Sequence, residues 1–216
     1  MGLGSLVHCA STAQTRAAMR TSVTAQWKAM TAIPTSPTPR LRTRTAADLP
    51  ALADALCRQH DVTGYPIRWP LPVPTQDFIY RRRDLHAWVV TVDERPVGHV
   101  AVGEWDMVDD SEGTRMRALC AAALDVAASD VVEVTTLFVD PDHFGKGIGA
   151  TLMRTATSWI RAHGRGPALE VASSNQAPIR LYQRLGWQEV GQFSPWWAPS
   201  DDVFAIFMVH PVPVAT

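Results

Sequence analysis

Two hydrophobic periods alternate along the chain from residue 41 onward. Leu41–Thr45 reads as a short first strand, and Ala47–His60 then sets Leu49, Leu52, Ala53, Leu56 and Cys57 on one helical face. The stretch Gly64–Pro74 holds Pro66, Pro70, Pro72 and Pro74, which remove donors and restrict their neighbours, so it is expected to be an irregular loop carrying aromatic side chains. Thr75 is expected to cap a short helix running through Arg83. The β-branched runs His86–Val92 and Val97–Trp105, parted by Asp93-Glu94-Arg95-Pro96, predict a hairpin. Asp106–Arg115 is polar and acidic, Met116–Ala128 suits a helix, and Val131–Val139 suits a strand. After a glycine-rich turn the pattern predicts a helix over 149–163, a strand over 168–172, a helix over 177–185, and strands over 188–193 and 203–209. The order is mixed α/β, with no internal repeat.

Composition narrows the class without naming an activity. The 216 residues are 46% hydrophobic and 19% charged with a formal net charge of -1, the profile of an ordinary globular protein. No run approaches the ~18 apolar residues that a membrane-spanning helix needs. Cys9, Cys57 and Cys120 form no CxxC pair, and the histidines show no paired ligand spacing. Neither a disulfide framework nor a metal site is expected, and a cytoplasmic location fits.

Charge is unevenly spread. Met1–Ala47 contains no acid and six basic residues, leaving the remainder at a formal -7. Residues 1–39, rich in Ala, Ser and Thr and closed by Pro34, Pro37 and Pro39, are expected to form a disordered tail ahead of a single domain at 40–212. Such an acid-free terminus also suits an organellar transit peptide or an anionic surface, and a true start at Met19 or Met30 is a further reading. No secretory signal is expected.

The chemistry-bearing stretch begins where Val134–Val139 leads through Asp140-Pro141-Asp142-His143-Phe144 into Gly145-Lys146-Gly147-Ile148-Gly149-Ala150. Alternate glycines leave backbone N–H groups unshielded, and the following helix adds its own orphan donors and the positive end of its dipole. A phosphate could sit there. A Walker A loop fails because Lys146 is followed by Gly147, and a dinucleotide fingerprint fails on glycine spacing and on the distance from the strand, although Glu170 mimics its ribose acid. A turn that only lets helix and strand pack closely stays open on these residues alone.

The wider pattern resembles the GNAT superfamily of acyl-CoA-dependent N-acyltransferases. The resemblance rests on Leu137-Phe138-Val139, Asp140-Pro141-Asp142, Gly147-Ile148-Gly149, and Asn175 with Pro178, Tyr182, Gly186 and Trp187. It covers about sixty residues closely, and the element order from Leu41 to Val209 is compatible with the family's fold: an α/β (α+β) domain with a central mixed, mostly antiparallel sheet flanked by helices. One departure stands out: the family's usual Gln or Arg before the loop is Phe144 here, preceded by His143.

The resemblance implies acetyl-CoA as co-substrate, with no metal. Its pyrophosphate is expected on the amides of Gly145, Lys146, Gly147, Ile148, Gly149 and Ala150, beside Phe144, with the usual side-chain contribution either lost or moved to Lys146. Its pantetheine arm is expected to pair with the backbone of Phe138 and Val139, next to Leu137, where two strands splay. Asn175 and Tyr182 are expected to contact the coenzyme, and Tyr182 to protonate the departing thiolate; the plainer readings are a helix N-cap and a packing tyrosine. Glu133 is the expected base, on the same face as Leu137 and Val139 if pairing is regular, against the plainer reading of a solvent-facing carboxylate.

These roles describe an N-acetyltransferase acting on a primary amine by direct attack in a ternary complex. The alternative is a non-catalytic acyl-CoA-binding or sensory module, which Phe144 motivates. The acceptor is expected to be a small-molecule or peptide amine, walled by Tyr65, Trp69, Trp196 and Trp197 as substrate-binding residues. The acidic set Glu104, Asp106, Asp109, Asp110 and Glu112 could draw a cation. Cys57 and Cys120 fit core positions, His99 fits a structural residue or a second base, and Arg81-Arg82-Arg83 fits a solvated helix end. Neither nucleic acid nor membrane is an expected partner; a homodimer is allowed without being required.

Overall fold

A computed structural model describes residues 38–105, 111–195 and 198–211. The expected tail, except Thr38 and Pro39, lies outside the described residues, as do Asp106, Asp109, Asp110, Trp196 and Trp197. The elements run β1 (Arg40–Thr43), α1 (Leu49–Thr63), α2 (Thr75–Ile79), β2 (Asp84–Val92), β3 (Arg95–Glu104), α3 (Ser111–Leu124), β4 (Val131–Val139), α4 (Ile148–Ala162), β5 (Gly166–Ala172), α5 (Gln176–Arg184), β6 (Gln188–Phe193) and β7 (Ala205–Val209). The strands form one seven-stranded sheet in the order β1-β2-β3-β4-β5-β7-β6. Neighbours are antiparallel except β4 with β5. This is the mixed, mostly antiparallel sheet flanked by helices that the family resemblance implies.

Helices cover both faces, so the central strands carry apolar residues on both sides. On one face α4 lays Ile148, Leu152, Met153, Ala156 and Ile160 against Val90, Val100, Val102, Val132 and Val134, and Ile179 and Tyr182 of α5 join them. On the other face Leu52, Ala55 and Leu56 of α1 pack on Val89 and Phe138, while Met116, Cys120 and Ala121 of α3 pack on Val131, Ala168 and Phe207. Each Val, Leu, Ile, Met or Phe among them contributes about 1.5–3 kcal/mol. A Cβ at Gly98 would lie 2.8 Å from Ile148 Cγ2, so this glycine is what lets α4 settle on β3.

Three local expectations change. The hairpin turn is only Asp93-Glu94, both with positive φ (49° and 63°), so Arg95 and Pro96 already belong to β3. The helix after the proline-rich loop stops at Ile79, and Pro74, not Thr75, is its N-cap. Arg81-Arg82-Arg83 is therefore not a helix end but the connection that delivers the chain into β2.

The third change decides the site. His99 pairs with Phe138 but Ala101 pairs with Thr135, so β4 carries one extra residue opposite Val100. Thr136 sits in the left-handed region (φ 46°), the mark of a β-bulge at a β-branched residue. Side-chain alternation inverts across it: Val132 and Val134 face α4 before the bulge, and Leu137 and Val139 face it after. Glu133 therefore does not share a face with Leu137 and Val139. It points to the opposite side with Phe138, toward α1 and α3, because pairing is not regular.

Candidate active site

The site begins where two strands part. β4 pairs with β5 only from Val131 to Glu133, opposite Gly166 to Ala168; beyond that β5 pairs with β7 alone. The C-terminal half of β4 thus borders an open gap that ends at the glycine loop.

That loop is braced from its first residue. The Asp140 N–H donates to Val97 O at 2.8 Å, and its buried carboxylate accepts from the Asp142 N–H and from Arg58 of α1. A 3-10 turn at Pro141–His143 follows, then Gly145 and Gly147 take φ of 73° and 78°. A Cβ at either glycine would meet nothing within 4 Å, so it is the backbone conformation that calls for glycine there. Among the described residues, none of the N–H groups of Gly145, Lys146, Gly147, Ile148, Gly149 and Ala150 donates a hydrogen bond; the first donor is Thr151, to Gly147 O. Six donors without a partner among the described residues, at the N-terminus of a fifteen-residue helix, have the geometry that suits an anion. Lys146 Nζ donates to Asp142 O at 2.9 Å and so is turned back onto the 3-10 turn. Phe144 is 42% exposed beside the loop.

The gap-facing edge of β4 differs from expectation. Because the Asp140 N–H turns to β3, ladder alternation turns Phe138 to β3 as well and Val139 into the gap. The Val139 N–H is taken there, at 2.8 Å, by Oε1 of the buried Gln59.

On the α1 side of the gap, titratable groups converge. Glu133 has no hydrogen-bond or ion-pair partner among the described residues. Burial, reinforced by the Glu170 charge, pushes its carboxyl up to about 7, with Arg81 and Arg83 opposing. Glu170 lies on the same face of β5; crowding by protein atoms raises it to about 7 too, although it opens to solvent. Tyr65 is raised to about 12 by burial, with Glu133 adding and Arg81 opposing. Tyr182 is only 8% exposed and its hydroxyl finds no partner among the described residues. Burial, with a smaller contribution from Tyr65, raises it, so it stays neutral. Tyr65, on the loop after α1, is thus within electrostatic reach of Glu133 on β4 and of Tyr182 on α5.

Beside them opens a cleft of about 570 Å³ lined by Arg81, Arg82, Arg83, Asp77, Asp84, Glu104 and Glu133 among others. Trp69 is not among its lining residues. Its ring stacks on His60 of α1, centroids 4.2 Å apart, and stays 40% exposed. Asn175 precedes α5, yet its side chain makes no capping hydrogen bond, so it is no ordinary cap and its amide remains open. Cys120 is buried and its thiol pushed up to about 12, as suits a core residue. Glu104 is held by Arg165 through bonds of 2.7 and 2.8 Å, which takes it out of any acidic lure.

His99 is a structural residue. Its buried ring donates from Nδ1 to Thr136 O at 2.9 Å and accepts at Nε2 from Arg44 at 3.0 Å. Arg44 in turn pairs with Asp84 at 2.9 Å. Burial pushes the imidazole down to about 3, so it is neutral and fixes the bulge from beneath. Sequence reasoning missed Gln59, Glu170 in this setting, and the orientation of Arg81. Only the polar Gln59 on an otherwise apolar helix face could have drawn attention.

No cluster among the described residues could hold a metal ion, and no helix there is long and apolar enough to cross a membrane. Residues 51–187 match the family model described as the acetyltransferase (GNAT) family. Over 120 residues the chain is 28% identical to an uncharacterised N-acetyltransferase of Methanocaldococcus jannaschii, covering 55% of this chain and 46% of that one. Over 78 residues it is 38% identical to a streptothricin acetyltransferase of Streptomyces lavendulae, covering 35% of this chain and 41% of that one. The matches thus span less than half the length of these relatives. Among solved structures, a Salmonella typhimurium acetyltransferase crystallised with acetyl-CoA superposes with a TM-score of 0.58 at 21% identity, covering 79% of this chain and 92% of that one.

Proposed function

The chain belongs to the GNAT acetyltransferase family, and on that premise we propose that it transfers an acetyl group from acetyl-CoA to a primary amine by direct attack in a ternary complex. The observation that carries the reading is the unpaired Glu133 carboxyl, raised to about 7, in the cleft where β4 and β5 part beside six free loop amides.

Acetyl-CoA, when bound, supplies an activated thioester carbonyl. The amides of Gly145 through Ala150 hold the pyrophosphate, with the α4 dipole behind them. Glu133 then takes a proton from the acceptor. An alkylammonium loses its proton near ~10 and a carboxylate ordinarily takes one near ~4, so a base at about 7 closes roughly half that difference. The amine forms the C–N bond as the C–S bond breaks, and the neutral Tyr182 hydroxyl donates to the departing sulfur. Asn175 offers its uncapped amide to the coenzyme. Tyr65 forms part of the acceptor wall.

A binding module without turnover would need the loop but neither the raised Glu133 carboxyl nor the buried Tyr182 phenol, so these two groups favour the enzyme. Tyr182→Phe tests the assignment: kcat should fall by about ten-fold or more while the acetyl-CoA dissociation constant barely moves. Full kcat in that variant would remove Tyr182 from the acid role.

A further inference from the structure

The three consecutive arginines that deliver the chain into β2 line the cleft that holds Glu133. Two of the four acids in the same lining are already neutralised: Asp84 by Arg44, with both side chains buried, and Glu104 by the two-pronged Arg165. Arg81 is different. Its Nε donates to Phe78 O at 3.3 Å, and its Cζ lies 4.9 Å over the Phe78 ring. Among the described residues no carboxylate pairs with its guanidinium, and none pairs with the exposed Arg82. Asp77, at the rim, has no such partner either. Stacking on Phe78 fixes the plane of the Arg81 fork, which lessens the ordering cost of any anion that docks on it. The Arg81 charge reaches Glu133 in the cleft and Glu170, Tyr65 and His99 beyond its lining, opposing the upward shifts of the first three and pressing His99 down. It is the central cation of the acceptor side.

We propose that the acceptor is a small amine that also carries a carboxylate, which Arg81 receives with Arg82 while Glu133 faces the amine. The inference rests on the acetyltransferase reading for which group is acetylated, but not for binding. It reverses the expectation that an acidic loop draws a purely cationic substrate. A fixed guanidinium matches a carboxylate bidentately, and a cleft of about 570 Å³ has the size of a small-molecule pocket rather than of an extended peptide groove.

Calorimetric titration of the full chain, with and without free CoA, tests this. The ligands are α-amino acids, β-alanine and 4-aminobutyrate, each beside its carboxamide, plus a short peptide with an acidic second residue. The carboxylate member of at least one pair should bind about ten-fold or more tightly than its amide. Arg81→Gln and Arg82→Gln should each bring that ratio toward one, and Arg81→Lys should keep part of it. Arg82 is exposed, so its variant reads the preference even if Arg81→Gln folds poorly. The proposal is overturned if the amides bind as well as the acids in every pair, if the ratio survives both Gln variants, or if only the peptide binds. Acetyl-CoA binding, read separately by thermal shift, tests the acetyltransferase reading; its failure beside an intact carboxylate preference would sink that reading and uphold the anion site.

Discussion

The side-chain carbonyl of Gln59 accepts the backbone N–H of Val139 at 2.8 Å, on the edge where β4 leaves β5. A second tie from the same helix, Arg58 to Asp140, anchors the residue that follows. Helix α1 therefore occupies the donor on which the proposed pantetheine pairing depends, so in that proposal the arm displaces Gln59 or pairs around it. Gln59→Ala should destabilise the unliganded chain by about 1–3 kcal/mol, the cost of a buried donor left without a partner. Saturating acetyl-CoA should recover much of that loss, because the coenzyme supplies an acceptor. Melting temperatures of both proteins with and without acetyl-CoA check this; an equal loss in both states would mean that the coenzyme never meets the Val139 N–H.

Glu133 makes a pH prediction of definite sign. Its folded value of about 7 lies above the ordinary 4.5, so the folded chain holds this proton more tightly than the unfolded chain does. The ionised carboxyl therefore costs stability, and that cost grows as pH rises from 4.5 to about 7 and is constant above. Glu133→Gln should be more stable than the parent above pH 7, by about 1–3 kcal/mol, and match it near pH 4. In activity the sign is opposite: the rate should rise with pH through a limb near 7, and the variant should lose both that limb and most of its kcat. Denaturant melts and a pH profile of kcat/KM provide the two readouts.

His99 predicts a different acid response. Its folded value of about 3 lies below the ordinary 6.5, so its contribution to stability is present above 6.5 and drains away as pH falls below it. His99→Ala should flatten that part of the profile. It should also destabilise the fold by about 3 kcal/mol or more, since Arg44 and the Thr136 carbonyl each lose a buried partner. Retained stability in the alanine variant would mean that the bulge holds itself.

Much of the site could be read from the sequence because it is local. The glycine loop lies at the N-terminus of α4, and alternate glycines, the helix that follows and the Asn175-to-Trp187 pattern are all contiguous features. Val131–Val139 appears as a strand from its β-branched residues alone. What sequence could not supply is the bulge at Thr136, because no glycine or asparagine marks it; Arg44 and His99, 55 residues apart, hold it through a buried network. The face of Glu133 hung on that one inserted residue. The role of Arg81 was hidden in the same way, since a five-residue helix that stops at Ile79 instead of Arg83 turns the arginines from solvent toward the cleft.

Two glycines separate folding from binding. Gly147 has positive φ and open space around its missing side chain, so Gly147→Val should cost about 1–2 kcal/mol of backbone strain and weaken acetyl-CoA binding by about ten-fold or more through the crowded amides. Gly98→Val drives atoms into Ile148 and Leu152 instead and should lose folded protein. Calorimetric titration of the first and soluble yield of the second read these outcomes.

The central claim is amine-dependent acetyl transfer without an acetylated enzyme. It is tested most directly by following thiol release from acetyl-CoA while recording the intact mass of the protein. Direct attack gives no thiol release without amine, thiol and amide in equal amounts once an acceptor amine is added, and a protein mass that never changes. Tight acetyl-CoA binding with no thiol released by any amine, or an acetylated protein that forms first and then passes its acetyl group on, would contradict it.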